Sequence, residues 1–246
     1  MTDQDGGTTH LTGVPHSADP LDAARATREL LAVLAYAELT ASFRLAEDAS
    51  AAPALRDKAA LGAMAAAEFG HFQKLSGRLD ELGADLDAET GPFAKALDEW
   101  HTQTAPKDWL ESLVKAYVGD GIAADFYREV AGGLDEPTRD LVMEVLADTG
   151  HADFAVEHVR AAIEADPTVA GRLALWARRL MGEALAQAQR VAADHPALAA
   201  LVIGGPAAGT GQEPAKGEGD LAEITRLFAR LTDRHAARMK RLGLST

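Results

Sequence analysis

The sequence predicts an all-α fold. Apolar residues recur at helical spacing from about residue 20 onward, and no stretch alternates apolar and polar residues as a half-buried strand would. Proline stands at or just before the expected helix starts, at Pro20, Pro53, Pro106, Pro137 and Pro167, where its missing N–H costs nothing. Glycine stands where helices should stop, at Gly83 and at Gly132-Gly133. These signals place six helices, at about 20–48, 53–83, 107–132, 136–165, 168–194 and 219–242.

The first helix opens on Asp19, a capping residue, followed by Pro20. Residues 1–19 before it read as a flexible tail. They are polar and acidic and have neither the basic start nor the apolar run of a secretion signal, which makes the cytoplasm the expected location. A few residues join helices one and two, and helices three and four, whereas 84–105 reads as one long connection. Two antiparallel hairpins linked by a crossover is the connectivity of a ferritin-like bundle. The expectation is therefore an all-α, ferritin-like four-helix bundle with two additional C-terminal helices. The bundle with its fifth helix spans 20–200, and 201–218 forms a mobile linker rich in Gly, Pro and Ala. A C-terminal helix in 219–246 packs on the bundle.

Composition narrows the function. With 246 residues, 47% hydrophobic and 25% charged, the chain can bury the core of a single domain. It has no cysteine, so a bound metal must be held by oxygen and nitrogen. A formal charge of −14 repels nucleic acid and anionic lipid on average, and no apolar run approaches the roughly 18 residues of a membrane span. A monomer or small homo-oligomer is expected, because the fifth and sixth helices would encumber packing into a storage cage.

Acids interrupt apolar helical stripes where a lone carboxylate would be costly to bury. Glu38 lies in line with Leu31, Leu34 and Leu45; Glu68 and His71 lie three apart in EFGH, in line with Leu61, Met64 and Leu75. Asp120 follows Leu113 and Ala116; Asp148 and His151 lie three apart in DTGH, in line with Leu141 and Ala155. Each pair of helices carries its acids at matching heights, about 20 Å from the turn that joins them. Docked face to face, the hairpins would bring four carboxylates and two imidazoles together, an arrangement that calls for cations. A Glu, an acid-x-x-His, an acid and a second acid-x-x-His match the dinuclear sites of ferritin-like carboxylate proteins. Hard carboxylates with two imidazoles suit two ions of iron or manganese, with dioxygen as co-substrate. Glu144, one turn before Asp148 on the same stripe, is an alternative ligand to it.

The stretches AYAEL around Glu38, AAAEFGHF around Glu68 and His71, KAYVGDGIAADFYRE around Asp120 and LADTGHADF around Asp148 and His151 resemble the ferritin-like family of bacterial tRNA 2-methylthio-N6-isopentenyladenosine hydroxylases. The resemblance covers roughly residues 25–200. It implies a non-haem di-iron oxidoreductase that inserts oxygen into a substrate, with Glu38, Glu68, His71, Asp120, Asp148 and His151 as catalytic iron ligands and an electron-donor protein as partner. The family has glutamate where this chain has Asp120 and Asp148, so each arm is shorter by about 1.5 Å. The rival expectation is a non-catalytic, partner-binding bundle with an empty or structural metal site.

Arg226, Arg230, Arg234, Arg238 and Arg241 run along one face of the last helix. Such a stripe either tracks the phosphates of a tRNA or pairs with acids of the same chain. Asp125 and Glu129 are expected at the surface or behind the metal ligands, and Tyr36, Tyr117, Tyr127 and Trp100 as packing residues. His10, His16, His101, His158, His195 and His235 show no ligand spacing.

Overall fold

The computed structural model describes residues 20–147, 151–203 and 218–246. Among them there is no strand, and the order is α1 (Pro20–Ala51), α2 (Leu55–Glu81), α3 (Leu86–Gln103), α4 (Trp109–Val130), a 3-10 turn (Ala131–Gly133), α5 (Glu136–Val145), α6 (His151–Ala165), α7 (Val169–Asp194), α8 (Pro196–Ile203) and α9 (Glu218–Arg241). The predicted all-α fold is the fold observed. The expected tail, 1–19, and most of the expected linker, 204–217, lie outside the described residues.

Local chemistry sets most helix ends. Asp85, Asp108 and Asp135 cap α3, α4 and α5, accepting from the backbone N–H of Ala88, Glu111 and Thr138. Helix α2 stops on Gly83, whose φ of 68° only glycine adopts cheaply. There the Gly83 N–H bonds to the Asp80 carbonyl and the Ala84 N–H to the Leu79 carbonyl. The same pattern closes α9 at Gly243, φ 81°, with Leu244 bonding back to Met239.

Three differences from the expected helices matter. The connection 84–105 is itself helical, as α3, despite Gly91-Pro92 inside it. Its Phe93 is 1% exposed and packs with Leu30, Leu31 and Leu34 of α1, burial that outweighs the local penalty of proline. The expected fourth helix, 136–165, is two: α5 ends at Val145, and the carbonyl of Leu146 after it accepts from Arg128 at 2.6 Å. Finally, α8 follows α7 directly. Glu29 of α1 accepts from the Leu198 N–H at 3.2 Å and so caps this short helix from across the molecule.

Helices α1 and α2 lie along each other, and α4 packs against α1, α6, α7 and α9. One core joins α4, α6, α7 and α9 through Leu113, Val118, Val159, Leu180 and Leu231. A second joins α1, α2, α4, α5 and α8 through Leu30, Leu34, Leu75, Val130, Val142 and Leu198. A third, smaller one lies at the far end of the α1–α2 pair, at Leu45, Leu61 and Ala65. Between these cores α1, α2 and α4 carry Glu38, Glu68 and Asp120, the described acids of the sequence stripes.

Candidate metal centre

Helix α1 supplies Glu38, and α2 supplies Glu68 and His71, which the i, i+3 spacing sets on one face. His71 Nδ1 lies 3.4 Å from Glu38 Oε2 and 3.2 Å from Glu68 Oε2. One donor atom from each of the three lies within 4.8 Å of the others, and the side chains are only 10–13% exposed. A six-coordinate ion with bonds of about 2.1 Å holds neighbouring donors about 3 Å apart. The oxygen–oxygen–nitrogen set and its spacing thus fit a divalent ion of the iron or manganese kind.

The electrostatics point the same way. Burial pushes the Glu38 carboxyl up to about 9, with the adjacent Glu68 carboxylate adding to the rise and His71 opposing it. Hydrogen bonds to Glu38 and then Glu68 push the His71 imidazole up to about 9, against its own desolvation. The cluster therefore holds protons that the same groups would release in water. Where a cation replaces those protons, the negative charge is neutralised without leaving carboxylates bare in a dry site. Burial, and then the charge of Glu38, also hold the Tyr127 phenol above its ordinary range.

The cluster opens on a cavity of about 620 Å³ with largely apolar walls, which Asp120, Tyr127 and Arg238 also line. Two glycines flank Asp120 and let neighbours approach α4 there. A Cβ at Gly119 would lie 3.1 Å from the Trp100 ring, and one at Gly121 would overlap the Arg238 side chain. Arg238 donates to the Gly121 carbonyl at 2.5 Å and pairs with Asp125. In this way α3 and α9 are brought against both sides of the Asp120 turn.

Of the six expected ligands, the structure brings Glu38, Glu68 and His71 together. Asp120 is half-buried and lines the same cavity but lies outside that three-residue group. Asp148 and the side chain of His151 lie outside the described residues. Glu144, the alternative to Asp148, is 61% exposed and receives Lys74 at 2.7 Å, so it faces solvent. Asp125 is buried rather than superficial, against Arg128, Arg234 and Arg238.

The arginine stripe is paired throughout. Arg226 meets Glu223, Arg230 meets Glu129, Arg234 meets Glu129 at 2.9 Å, and Arg241 meets Asp153. Sequence reasoning missed Lys115, which is 8% exposed inside the run SLVKAYV and lines the cavity. A lysine at a core position of an apolar stripe was the available signal. Gln187 also lines the cavity and is 6% exposed; nothing in ALAQAQR distinguishes it.

No helix among the described residues is long and apolar enough to cross a membrane. No curated protein matches the chain. The family model described as the ferritin-like domain of actinomycetes matches residues 22–205, three-quarters of the sequence, a span that includes Glu38, Glu68 and His71. The chain thus belongs to the ferritin-like domain family of actinomycetes.

Proposed function

We propose that this protein is an oxygen-dependent, non-haem di-iron oxidoreductase of the hydroxylase kind. The observation that carries the reading is the juxtaposition of the Glu38–Glu68–His71 cluster with a 620 Å³ apolar cavity. A bare iron-oxidation site needs no such room, whereas oxidation of an organic substrate does. Glu38, Glu68 and His71 hold one ion, and Asp120, Asp148 and His151 supply the second set of donors. When bound, the ions supply the redox chemistry with dioxygen. The chain's own part is to hold the ions with hard donors, exclude bulk water with apolar walls, and place the Tyr127 phenol beside Glu38. An external electron donor is required.

Kinship with tRNA-modifying hydroxylases rests on the sequence resemblance. The internal pairing of Arg226, Arg230, Arg234 and Arg238 lends it no support. A second reading, a partner-binding bundle with an empty or structural site, is favoured by one feature: the imidazole and two carboxylates satisfy one another by hydrogen bonds without a metal. Metal analysis with Mössbauer spectra of the iron-loaded protein separates the two. About two irons per chain, reduced in both Glu68→Ala and His151→Ala, support the oxidoreductase. An iron-free wild type from iron-supplemented cells sinks it.

A further inference from the structure

The cavity has a second polar end that the metal chemistry does not use. Lys115 of α4 reaches it with an amine that, among the described residues, has no carboxylate within ion-pair distance. Its neighbours are the His101 carbonyl at 3.5 Å and the Trp100 ring, 4.8 Å from the centroid. Other buried polar atoms lining the cavity also lack partners among the described residues: Trp100 Nε1, His101 Nδ1 and both amide atoms of Gln187. The charged groups facing Lys115 are Asp48, Glu47 and Arg44. Arg44 is half exposed and already paired with Glu47 at 2.8 Å, and Asp48, a half-buried carboxylate, faces Lys115 from beyond ion-pair distance.

A buried ammonium without a counter-ion is costly, and so are indole and amide groups with nothing to bond. We infer that this end of the cavity binds the carboxylate head of an otherwise apolar small molecule, with Lys115 as its counter-ion and Gln187 and Trp100 as further donors. The charge count favours a monoanion. Asp48 and Glu47 nearby oppose added negative charge, so Lys115 holds a monoanion better than the dianion of a phosphate monoester. A cationic head would meet Lys115 itself. Leu45, Leu97, Leu227, Leu231 and Phe228 line the apolar remainder of the cavity.

Helix geometry fixes the reach. Lys115 precedes Asp120 by five residues on α4, about 7.5 Å, and Arg44 follows Glu38 by six on α1, about 9 Å. A chain of about six to eight carbons, at roughly 1.3 Å each, spans that distance and presents its far methylenes to the carboxylate–imidazole cluster. Naming the bound acid a substrate rests on the oxidoreductase reading. The binding itself needs no metal.

The test is calorimetric titration of the full-length, metal-free protein with decanoate, decyl phosphate and decanol. Decanoate should bind at one site, with the other two weaker by at least about tenfold, and Lys115→Met should weaken decanoate by a similar factor while leaving decanol unchanged. Gln187→Leu should weaken decanoate about threefold. Decanol binding as tightly as decanoate in the wild type, a comparison that needs no variant, would overturn the inference. So would tighter binding of decyl phosphate, undiminished decanoate binding in a folded Lys115→Met protein, or no binding at all. Decanoate binding by a protein that takes up no iron upholds this site and rejects the oxidoreductase; iron uptake without decanoate binding does the reverse.

Discussion

Glu38 and His71 hold protons in the folded chain at a pH where either would release them in an unfolded one. Glu38 is raised from the ordinary carboxyl range to about 9 by burial, and His71 from 6.5 to about 9 by its two carboxylate neighbours. A folded-state rise means that folding favours the protonated form. The contribution to stability is therefore present at low pH and is lost as pH climbs through about 9. Both groups act with the same sign. The metal-free protein should lose stability as pH climbs from about 4.5, where Glu38 begins to count, and more steeply between about 6.5 and 9, by up to about 1.4 kcal/mol per pH unit for each proton involved. In Glu38→Gln one titrating group is gone and His71 loses the larger of the two hydrogen bonds that raise it, so the slope should fall by more than half. Urea unfolding at a series of pH values measures this. A wild type with no slope would mean that the cluster does not retain these protons.

At the scale of elements, α9 is held to α4 by Arg230, Arg234 and Arg238, of which Arg238 makes the dry contact. Asp125 is 8% exposed beside Arg238, which is itself 12% exposed, whereas Arg226 is 61% exposed. Asp125→Asn leaves buried guanidinium charge uncompensated and should cost about 3 kcal/mol, while Arg226→Ala should cost less than about 0.5. Gly121→Ala, by displacing Arg238 from its seat, should cost about 1–3 kcal/mol. Chemical unfolding ranks the three, and equal effects for Asp125→Asn and Arg226→Ala would refute the buried-pair account. At the other end of the bundle, Glu29→Ala removes the cap of α8 and should cost about 1 kcal/mol. Hydrogen exchange at Leu198 and the residues after it should speed up while α1 stays protected. Uniform protection in α8 would show that Glu29 does not hold it.

These contacts also explain which elements the sequence revealed. Helices α1, α2, α4, α7 and α9 carry long apolar stripes with proline or aspartate at one end, signals confined to the helix itself. The helix hidden in 84–105 has a good cap in Asp85, but Gly91-Pro92 reads as a breaker, and the burial of Phe93 against α1 that overrides it is a tertiary fact. The eight residues of α8 are too few to stand alone. Their cap, Glu29, is 169 positions away in the chain. The break after Val145 leaves the apolar stripe intact, so periodicity runs through it; Arg128 takes the Leu146 carbonyl from another helix. In the site, Glu38, Glu68 and His71 were legible because an acid at a core position is conspicuous. Lys115 was equally conspicuous, and only an expectation limited to metal ligands passed over it.

For the whole molecule, the site lies where three separate cores adjoin, and its donors come from two helices that lie along each other. An ion bound there ties Glu38 of α1 to Glu68 and His71 of α2 and removes the repulsion between their carboxylates. It binds the folded chain and not the unfolded one, so it must raise stability by mass action. At a free ferrous concentration about a hundred times the dissociation constant, the gain is about 2.7 kcal/mol, or a rise in melting temperature of roughly 5–10 °C for a chain of this size. The rise should shrink as pH falls below about 9, because the protons held by Glu38 and His71 compete for the same donors. Calorimetric melting under anaerobic conditions, with and without ferrous ion, reads it directly. Glu68→Ala makes the result specific: it removes one of the three donors, so the variant should melt at the same temperature with and without ferrous ion. If iron stabilised that variant as much as the wild type, the ion would be binding elsewhere on this acidic surface.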